Sequence, residues 1–281
     1  MSLASWNGKL INQDQVMISP DNRSFRYGDG CFETIKVLHG NVILPELHFN
    51  RLFASLELLQ LTKPTFFTKQ YFQEQIIQVI KANNHTASSR VRLTMFRDEI
   101  RPEQKSHFEP KFIIQSWEAK EELNSYNEQG FSIDFYLDAK KSYDRFSGIK
   151  SNNYLPYLMG AIWAKQQGLD DAIITNSHGC ISDSTIANVF IISDGLVKTP
   201  SLNEGCVDGT MRKYLLACFK REGIAFVETA LTIEDMTTAS EVFLTNAMYG
   251  IRWVKSFQKT NYTNQNSSFF YEKFLTPLFK P

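Results

Sequence analysis

The chain lacks an excess of charge of either sign, because its 281 residues include 30 lysines and arginines and 30 aspartates and glutamates. A nucleic-acid-binding protein normally shows a basic excess or a basic stripe, so we expect no nucleic-acid partner. No run of about 18 apolar residues is present, so we expect no membrane span. The first residues lack a basic region followed by an apolar core, so we expect no signal peptide.

Metal-binding and redox motifs are also missing. The five histidines form no His-Glu-x-x-His motif, and the four cysteines form no Cys-x-x-Cys pair, so we expect no metal site. Scattered thiols fit a reduced, cytoplasmic protein in which cysteines pack as small apolar side chains. We expect this packing role for each of them: Cys31, Cys180, Cys206 and Cys218.

The sequence does contain enough apolar material for a sizeable core, with 43% hydrophobic and 13% aromatic residues. Its length fits one large domain or two domains of ordinary size. Residues 118–130 are polar and charged, and we interpret them as a connection between two lobes. The predicted lobes are residues 1–117 and residues 131–281.

Periodicity and turn residues predict a mixture of helices and strands in both lobes. Short strands and turns, including a hairpin turn at Gly40-Asn41, are predicted before residue 45. Helices are predicted over 45–62, 68–83, 155–168, 210–222 and 269–279. Strands are predicted over 89–96, 112–117, 131–137, 171–175, 186–193, 197–199 and 242–245. Residues 260–268 are rich in Asn, Thr, Gln and Ser and are predicted to form a surface loop.

Lys150 is the residue around which the functional interpretation is built. It follows Gly148 and Ile149 and precedes a polar run that leads into the helix predicted over 155–168. A lysine at the mouth of a buried region loses solvation, which favours a neutral amine suited to Schiff-base chemistry. A lysine taken alone is usually a solvated surface charge, so this interpretation depends on the neighbouring sequence.

That neighbouring sequence, residues 148–156, resembles the lysine motif of fold-type IV pyridoxal 5′-phosphate (PLP) enzymes. This class includes branched-chain aminotransferases, D-amino-acid aminotransferases and 4-amino-4-deoxychorismate lyases. Five further segments match in the family's order, and with the lysine motif they span nearly the whole chain. These segments are 27–34, 46–52, 179–190, 209–212 and 243–247.

The resemblance implies an α+β (mixed α/β) fold with two lobes. The smaller lobe is expected to be an α/β sandwich, and the larger lobe a barrel-like β-sheet surrounded by helices. A homodimer is also implied, with the active site at the lobe interface and partly closed by the partner subunit.

The resemblance further implies a PLP site in which Lys150 forms the Schiff base and then acts as general acid and base. Asp183 stands where the family usually has a glutamate that faces the pyridine nitrogen, and its side chain is one methylene shorter. The other implied cofactor contacts are Arg51, Thr210 and Met211 at the phosphate, the turn at Asn246 and Ala247, and Tyr154 near the ring oxygen.

Several of these residues have ordinary structural explanations as well. Arg51 could be a solvated helix charge, although its planar fork suits bidentate phosphate binding. Asp183 could cap a turn. Thr210 opens a predicted helix after Gly209, which is a common arrangement as well as a phosphate-binding one.

Candidate substrate-pocket residues come from two segments. In the resembling family the strand that begins after the Gly28–Gly30 turn lines the pocket, which nominates Tyr27, Phe32 and Thr34. Arg92, Arg97 or Arg101 could hold a substrate carboxylate, although surface ion pairing is an alternative for each. The loop from Arg97 to Arg101 is charged where many relatives are rich in glycine.

Two reactions fit these features. Threonine at position 34, where branched-chain enzymes typically have glycine, is more similar to the lyase and D-amino-acid branches. Four segments are also more similar to the lyase branch, namely 28–32, 147–150, 209–212 and 246–247. From this resemblance we expect a lyase that converts 4-amino-4-deoxychorismate into 4-aminobenzoate and pyruvate, for folate synthesis. A class IV aminotransferase of branched-chain L- or D-amino acids is the alternative, and a non-catalytic PLP-binding relative is a more distant one.

Overall fold

The computed structural model of the protein describes residues 2–98 and 109–279, which form two compact units. The first unit comprises Met1–Glu121 and Ile149–Asn153, and the second comprises Glu122–Gly148 and Tyr154–Pro281. The change of unit after Glu121 lies inside the predicted connection, whereas the return of the chain around Lys150 was not expected. The division into lobes at residues 1–117 and 131–281 stays a prediction.

Within its described residues, the first unit forms an antiparallel six-stranded sheet in the order β2-β1-β6-β5-β3-β4. The strands are β1 Leu3–Trp6, β2 Lys9–Asn12, β3 Gly30–Leu38, β4 Asn41–Val42, β5 Ser88–Arg97 and β6 Pro110–Glu118. The helices are α1 Arg23–Tyr27, α2 Pro45–Leu58 and α3 Lys69–Ala82. Apolar side chains of α2 and α3 pack with those of β3, β5 and β6 in one core, which includes Phe49, Leu52, Phe72 and Ile76.

Two boundaries in this unit differ from the predictions. The β3–β4 hairpin pairs Leu38 with Asn41, so its turn is His39-Gly40, both with positive φ, and not Gly40-Asn41. Helix α2 ends at Leu58, four residues before the predicted end, because Gln60 adopts a left-handed φ of 54°. The short helix α1 was also missed.

The second unit, as far as the structure describes it, is built on a nine-stranded sheet in the order β12-β11-β10-β13-β14-β7-β8-β9, with β15 beside β14. Its strands are β7 Phe131–Lys141, β8 Asp171–Asn176, β9 Ile181–Ser184, β10 Asn188–Ser193, β11 Leu196–Pro200, β12 Phe226–Thr229, β13 Glu241–Asn246, β14 Gly250–Phe257 and β15 Thr260–Asn261. Its helices are α4 Leu155–Gln166, α5 Thr210–Glu222, α6 Ile233–Thr238, α7 Gln265–Phe270, a π-helical turn Tyr271–Leu275 and α8 Thr276–Phe279.

The sheet of the second unit is mixed, since β7 runs parallel to β8 and β14 while most other neighbours are antiparallel. Together the two units confirm the predicted α+β class. Helix α5 has the predicted bounds. The predicted loop over 260–268 is wrong, because β15 and the start of α7 lie inside it.

Helix α4 carries apolar side chains on both of its faces. The buried face includes Gly160, whose absent Cβ would stand 2.9 Å from Ile174 Cδ1, so the helix lies close against β8. The opposite face is 41–61% exposed and comprises Leu155, Leu158, Met159 and Ile162. A helix that is apolar all round is normally covered on every side.

Within residues 2–98 and 109–279, no helix combines the length and the apolar character that a membrane span requires.

Candidate active site

The segment that carries Lys150 is attached to β3 as a short extra strand. Phe32 N donates to Lys150 O at 2.8 Å, and Asn152 N donates to Gly30 O at 3.0 Å. These bonds flank an antiparallel bridge between Cys31 and Ser151. Backbone pairing therefore fixes the lysine beside the start of β3.

Two glycines permit the close approach of the turn before β3 to the Lys150 segment and to β5. Gly28 has a φ of 70° and ends α1 in the left-handed region. A Cβ on Gly30 would stand 2.3 Å from Met95 O, a distance that real Cβ atoms do not show. The Gly-Asp-Gly motif therefore has a steric cause, because a larger residue at its second glycine would push β3 away from β5.

Lys150 and Arg92 both lie over the ring of Phe32. The distance to the ring centroid is 4.8 Å for Lys150 Nζ and 3.6 Å for Arg92 Cζ, within the range of cation–π contacts. Arg92 is paired in register with Thr34, and its Nε donates to Thr94 Oγ1 at 3.1 Å. One face of the β3–β5 pair thus presents an amine, a guanidinium and two hydroxyls, a set that can bind an amino group and a carboxylate.

Arg51 is buried in an ion pair that the sequence did not reveal. Its Nε and Nη2 donate to the two carboxylate oxygens of Glu33 at 2.7 and 2.6 Å, and Glu33 Oε2 lies 2.7 Å from His48 Nδ1. Burial alone would raise the pKa of Glu33, but Arg51 and His48 outweigh it and lower the pKa to about 2. Arg51 is therefore held in a fixed orientation and is not a solvated helix charge, while its predicted phosphate contact stays a prediction.

Arg97 and Tyr27 have surroundings that the pocket prediction did not include. Arg97 is buried, with Nε donating to Asp29 Oδ2 at 3.0 Å and Nη2 to Leu59 O at 2.6 Å, so it links the glycine-flanked turn to the end of α2. Tyr27 is 61% exposed, with the guanidinium of Arg23 over its ring. Their substrate roles stay predictions, and Arg101 lies outside the described residues.

Cys31 is buried between Gly30 and Phe32. Burial first, and Glu33 second, raise the pKa of its thiol to about 12. The thiol is therefore protonated at neutral pH and is not a nucleophile, in agreement with the packing role that the sequence suggested.

Asp183, in the second unit, is a carboxylate enclosed by hydrogen-bond donors. Only 2% of it is exposed, and its Oδ2 accepts from Tyr157 Oη at 2.7 Å and from Val207 N at 2.9 Å. Its Oδ1 accepts from Asn188 Nδ2 at 2.9 Å. A buried charge requires such partners, and together they fix the direction of the carboxylate.

The amino end of α5 has no side-chain cap, and its predicted contact with the cofactor phosphate stays a prediction. Its N-cap residue, Gly209, supplies no side-chain cap, so the first N–H groups of the helix receive no such partner. A Cβ on Gly209 would stand 1.8 Å from Asn188 Oδ1. Thr210 and Met211 follow at the first two helical positions, where N–H groups and the helix dipole favour a phosphate.

The other predicted cofactor residues of this unit also have defined positions. Tyr154 Oη donates to Thr185 O at 3.2 Å, and its ring stacks on Tyr157 with the centroids 4.4 Å apart. Asn246 Oδ1 accepts from Met248 N at 2.9 Å, which closes the turn that contains Ala247. These contacts hold the residues in place, and their roles toward the cofactor stay predictions.

The donor sets fit PLP within each unit. A primary amine and a buried arginine are held in the first unit, and a buried carboxylate and an uncapped helix end are held in the second. Asn188 joins the last two features, because it donates to Asp183 and lies against Gly209.

Three residues that shape these features were not singled out from the sequence. They are Glu33, Tyr157 and Asn188, the last of which links Asp183 to Gly209. Glu33 and Asn188 lie inside matched segments, so their positions were a signal that could have been used. Tyr157 had no such signal beyond its place one turn after Tyr154 on the predicted helix.

The sequence matches the family described as Amino-transferase class IV over residues 30–257, and the chain belongs to that family. It is 27% identical over 241 residues to a putative branched-chain-amino-acid aminotransferase of Methanocaldococcus jannaschii, with 85% of this chain and 82% of that protein covered. It is 25% identical over 268 residues to the aminodeoxychorismate lyase of Bacillus subtilis, with coverage of 92% and 88%.

Among solved structures, the fold is similar to a branched-chain aminotransferase from Thermoproteus uzoniensis, solved with norvaline. The TM-score is 0.87 at 19% identity, with 99% of this chain and 95% of that chain covered. The fold-type IV prediction is therefore confirmed.

Family membership settles two of the predictions. Class IV enzymes use PLP, so the cofactor prediction is confirmed, and the chain is a PLP-dependent enzyme. The non-catalytic alternative is accordingly set aside. Aminotransferases and lyases both occur among the relatives, so family membership alone does not select the reaction.

Proposed function

We propose that the chain is a 4-amino-4-deoxychorismate lyase, which releases pyruvate and leaves 4-aminobenzoate. The observation that supports this reaction is Thr34, a half-buried hydroxyl paired in register with Arg92 on the face that carries Phe32. Branched-chain aminotransferases typically have glycine at the matching position. A hydroxyl there can donate a hydrogen bond to the ether oxygen of the departing group.

Lys150 is the general base in this proposal. When bound, PLP supplies an electron sink for the charge that develops as the substrate C–H bond breaks. Lys150 Nζ takes the proton from the carbon that bears the amino group. Arg92, over the same Phe32 ring, holds a substrate carboxylate through its planar fork.

The remaining groups hold the cofactor in place. Asp183 would face the pyridine nitrogen and keep it protonated, since a nearby anion stabilises the positive form. Arg51 in the first unit and the amino end of α5 in the second each offer donors that would suit a phosphate. The residues proposed at α5 and around the ring are Thr210, Met211, Asn246, Ala247 and Tyr154.

A class IV aminotransferase of branched-chain L- or D-amino acids is the second candidate. The placement of Lys150 and Arg92 over one ring favours it, because an α-amino acid carries its carboxylate next to its amino group. Both reactions use the same proton transfer by Lys150. They differ in whether a leaving group departs, and Thr34 is the residue proposed to assist that step. A threonine at this position separates the chain from the branched-chain enzymes and not from the D-amino-acid branch.

The test is to record the visible spectrum of the purified enzyme and to assay pyruvate release from 4-amino-4-deoxychorismate. We expect a PLP band that is lost in Lys150→Ala, together with pyruvate release. Thr34→Val should keep the PLP band and reduce pyruvate release about 100-fold, the scale of one hydrogen-bond donor to an oxygen that gains negative charge. Thr34→Ser, which keeps the hydroxyl, serves as the matched control and should stay much closer to the unmodified enzyme.

Two results would contradict the lyase assignment. Conversion of the bound cofactor to its pyridoxamine form by an L- or D-amino acid, without pyruvate release, would indicate the aminotransferase. Equal pyruvate release by the threonine, serine and valine forms would remove Thr34 from the mechanism.

We further propose that a second copy of the chain covers the exposed face of α4, as expected for a homodimer. The four residues of that face carry no charge, and a two-fold interface places the same patch on both subunits. Leu158→Glu combined with Ile162→Glu should give a monomer in size-exclusion chromatography with light scattering. Gln166→Glu, on the same helix, should leave the dimer intact. A dimer that survives the double substitution would contradict this interface.

The cytoplasmic location expected from the sequence stays a prediction.

A further inference from the structure

Tyr157 lies outside every matched segment, yet it contacts the proposed cofactor carboxylate. The residue is buried on α4, and its hydroxyl donates to Asp183 Oδ2 at 2.7 Å. Its ring stacks on Tyr154 at an interplanar angle of 27°. One side chain thus contacts two residues that the family resemblance assigns to the cofactor ring.

We propose that Tyr157 is a positioning residue that holds Asp183 toward the pyridine nitrogen of PLP and compensates for its short side chain. This inference rests on the proposed placement of Asp183 at that nitrogen. The family usually has glutamate at this position, so an aspartate must be held more firmly to act at the same place. Tyr157 donates to the carboxylate from a rigid aromatic side chain, and this contact would fix the position of the shorter aspartate.

The geometry supports a fixed carboxylate. Asn188 Nδ2 holds Oδ1, whereas Oδ2 is shared by Val207 N and Tyr157 Oη. Donors on both oxygens prevent rotation about the last side-chain bond of Asp183. Because the site is buried, loss of the Tyr157 hydroxyl would leave an acceptor that water cannot readily satisfy.

The electrostatics point the same way. Burial and then Asp183 raise the pKa of Tyr157 well above its ordinary value, so the phenol remains a donor through neutral pH. Burial lowers the pKa of Lys141, and Asp183 opposes that change. Lys141 Nζ lies 5.2 Å from the Tyr157 ring centroid. Burial and then Asp183 raise the pKa of the Cys206 thiol, which is therefore neutral.

The experiment compares Tyr157→Phe, Asp183→Asn and the double variant. Each full-length protein is stripped of cofactor and titrated with PLP to obtain the dissociation constant. The visible spectrum of the reloaded enzyme is then recorded against pH. Tyr136→Phe is the matched control, because Tyr136 packs in the same apolar cluster without being one of the donors described for Asp183.

We expect Tyr157→Phe to weaken PLP binding about 10-fold, as for a hydrogen bond to a charged group, and to move the pH midpoint of the spectrum. Asp183→Asn should weaken binding at least as much. The double variant should bind PLP no more weakly than Asp183→Asn alone, because both substitutions disrupt the same Tyr157–Asp183 interaction. Tyr136→Phe should match the unmodified enzyme in both readouts.

The outcomes separate this inference from the proposed function. An unchanged spectrum and affinity in Asp183→Asn would refute the placement of Asp183 itself. Weaker PLP binding by Asp183→Asn with no effect of Tyr157→Phe would refute only the role of Tyr157. Fully additive changes in the free energy of PLP binding in the double variant would refute that role as well.

A second variant addresses compensation directly and does not depend on the stability of Tyr157→Phe alone. Asp183→Glu adds a methylene against the Tyr157 hydroxyl, so it should weaken PLP binding in the unmodified background. Combined with Tyr157→Phe, the longer acid should recover most of the lost affinity. Absence of recovery, or equal effects in both backgrounds, would contradict compensation.

Discussion

Glu33→Gln is the substitution with the largest expected effect on stability. A glutamine can still accept from Arg51 Nε through its amide oxygen. Its NH₂ group, however, would face Arg51 Nη2 and His48 Nδ1, which contact Glu33 Oε2 at 2.6 and 2.7 Å. The variant therefore buries a guanidinium without its counter-charge, at a site where Glu33 is 1% exposed. Breaking a buried ion pair in this way costs about 3–5 kcal/mol of unfolding free energy.

The lowered pKa of Glu33, which has the same Arg51 and His48 contacts as its cause, corresponds to a free energy of the same order. A fall from 4.5 to about 2 in the folded state corresponds to about 3 kcal/mol of stability. Because the folded-state pKa is lowered, this contribution is fully present above pH 4.5 and is lost as the pH falls toward 2. The difference in stability between the unmodified protein and Glu33→Gln should therefore narrow across that window.

The assay is urea unfolding of the full-length, PLP-free chain at pH 7 and at several lower pH values. We expect a lower midpoint at pH 7 with little change in the m-value. Glu46→Gln is the matched control, because it removes a carboxylate that pairs with Lys69 at an exposed site, with 70% of the Glu46 side chain accessible. An exposed pair contributes about 0–1 kcal/mol. The reasoning is refuted if the two variants lose equal stability, or if the Glu33→Gln difference does not depend on pH.

We expect three other outcomes at the site. Gly209→Ala should weaken PLP binding in a titration of the cofactor-free protein, because the added Cβ would displace Asn188. Gly148→Ala is the control and should bind PLP normally, because its Cβ meets no atom nearer than 3.8 Å. Arg92→Gln should raise KM about 10-fold or more with a smaller change in kcat in steady-state kinetics, and an unchanged KM would exclude Arg92 from substrate binding. Cys31, whose thiol pKa is raised to about 12 by burial, should resist iodoacetamide in the native protein and react in urea, as read by mass spectrometry.

The long amphipathic elements were predictable because their periodicity extends over several turns. Helix α3, predicted over 68–83, runs from Lys69 to Ala82, and the side chain of Thr68 accepts from Tyr71 N at 3.1 Å at its start. Strands β9 and β12 have four residues each, too few for a period of two to be recognised. Their pairing depends on distant parts of the sheet, which local sequence does not encode.

For the site, the sequence motifs nominated Lys150, Asp183 and Gly209, whose roles stay predictions. They did not give the partners that orient these groups. Glu33 and Arg51 are 18 residues apart, and Tyr157 and Asp183 are 26 apart, so each pair exists only after a strand and a helix have packed. Composition and spacing cannot distinguish such a buried pair from two solvated charges.

The return of the chain to the first unit at Ile149–Asn153 has a consequence for synthesis and cleavage. A fragment that ends at Glu121 would lack the backbone partners of Phe32 N and Gly30 O. On the ribosome, the edge of β3 therefore stays incomplete until residue 153 has emerged. A single cut in the connection cannot yield two complete units, since the chain passes between them again on either side of Lys150. Lys150, the proposed catalytic residue, is thus part of the segment that completes the first unit. A chain that fails to place this segment against β3 loses a strand contact and the proposed catalytic amine together.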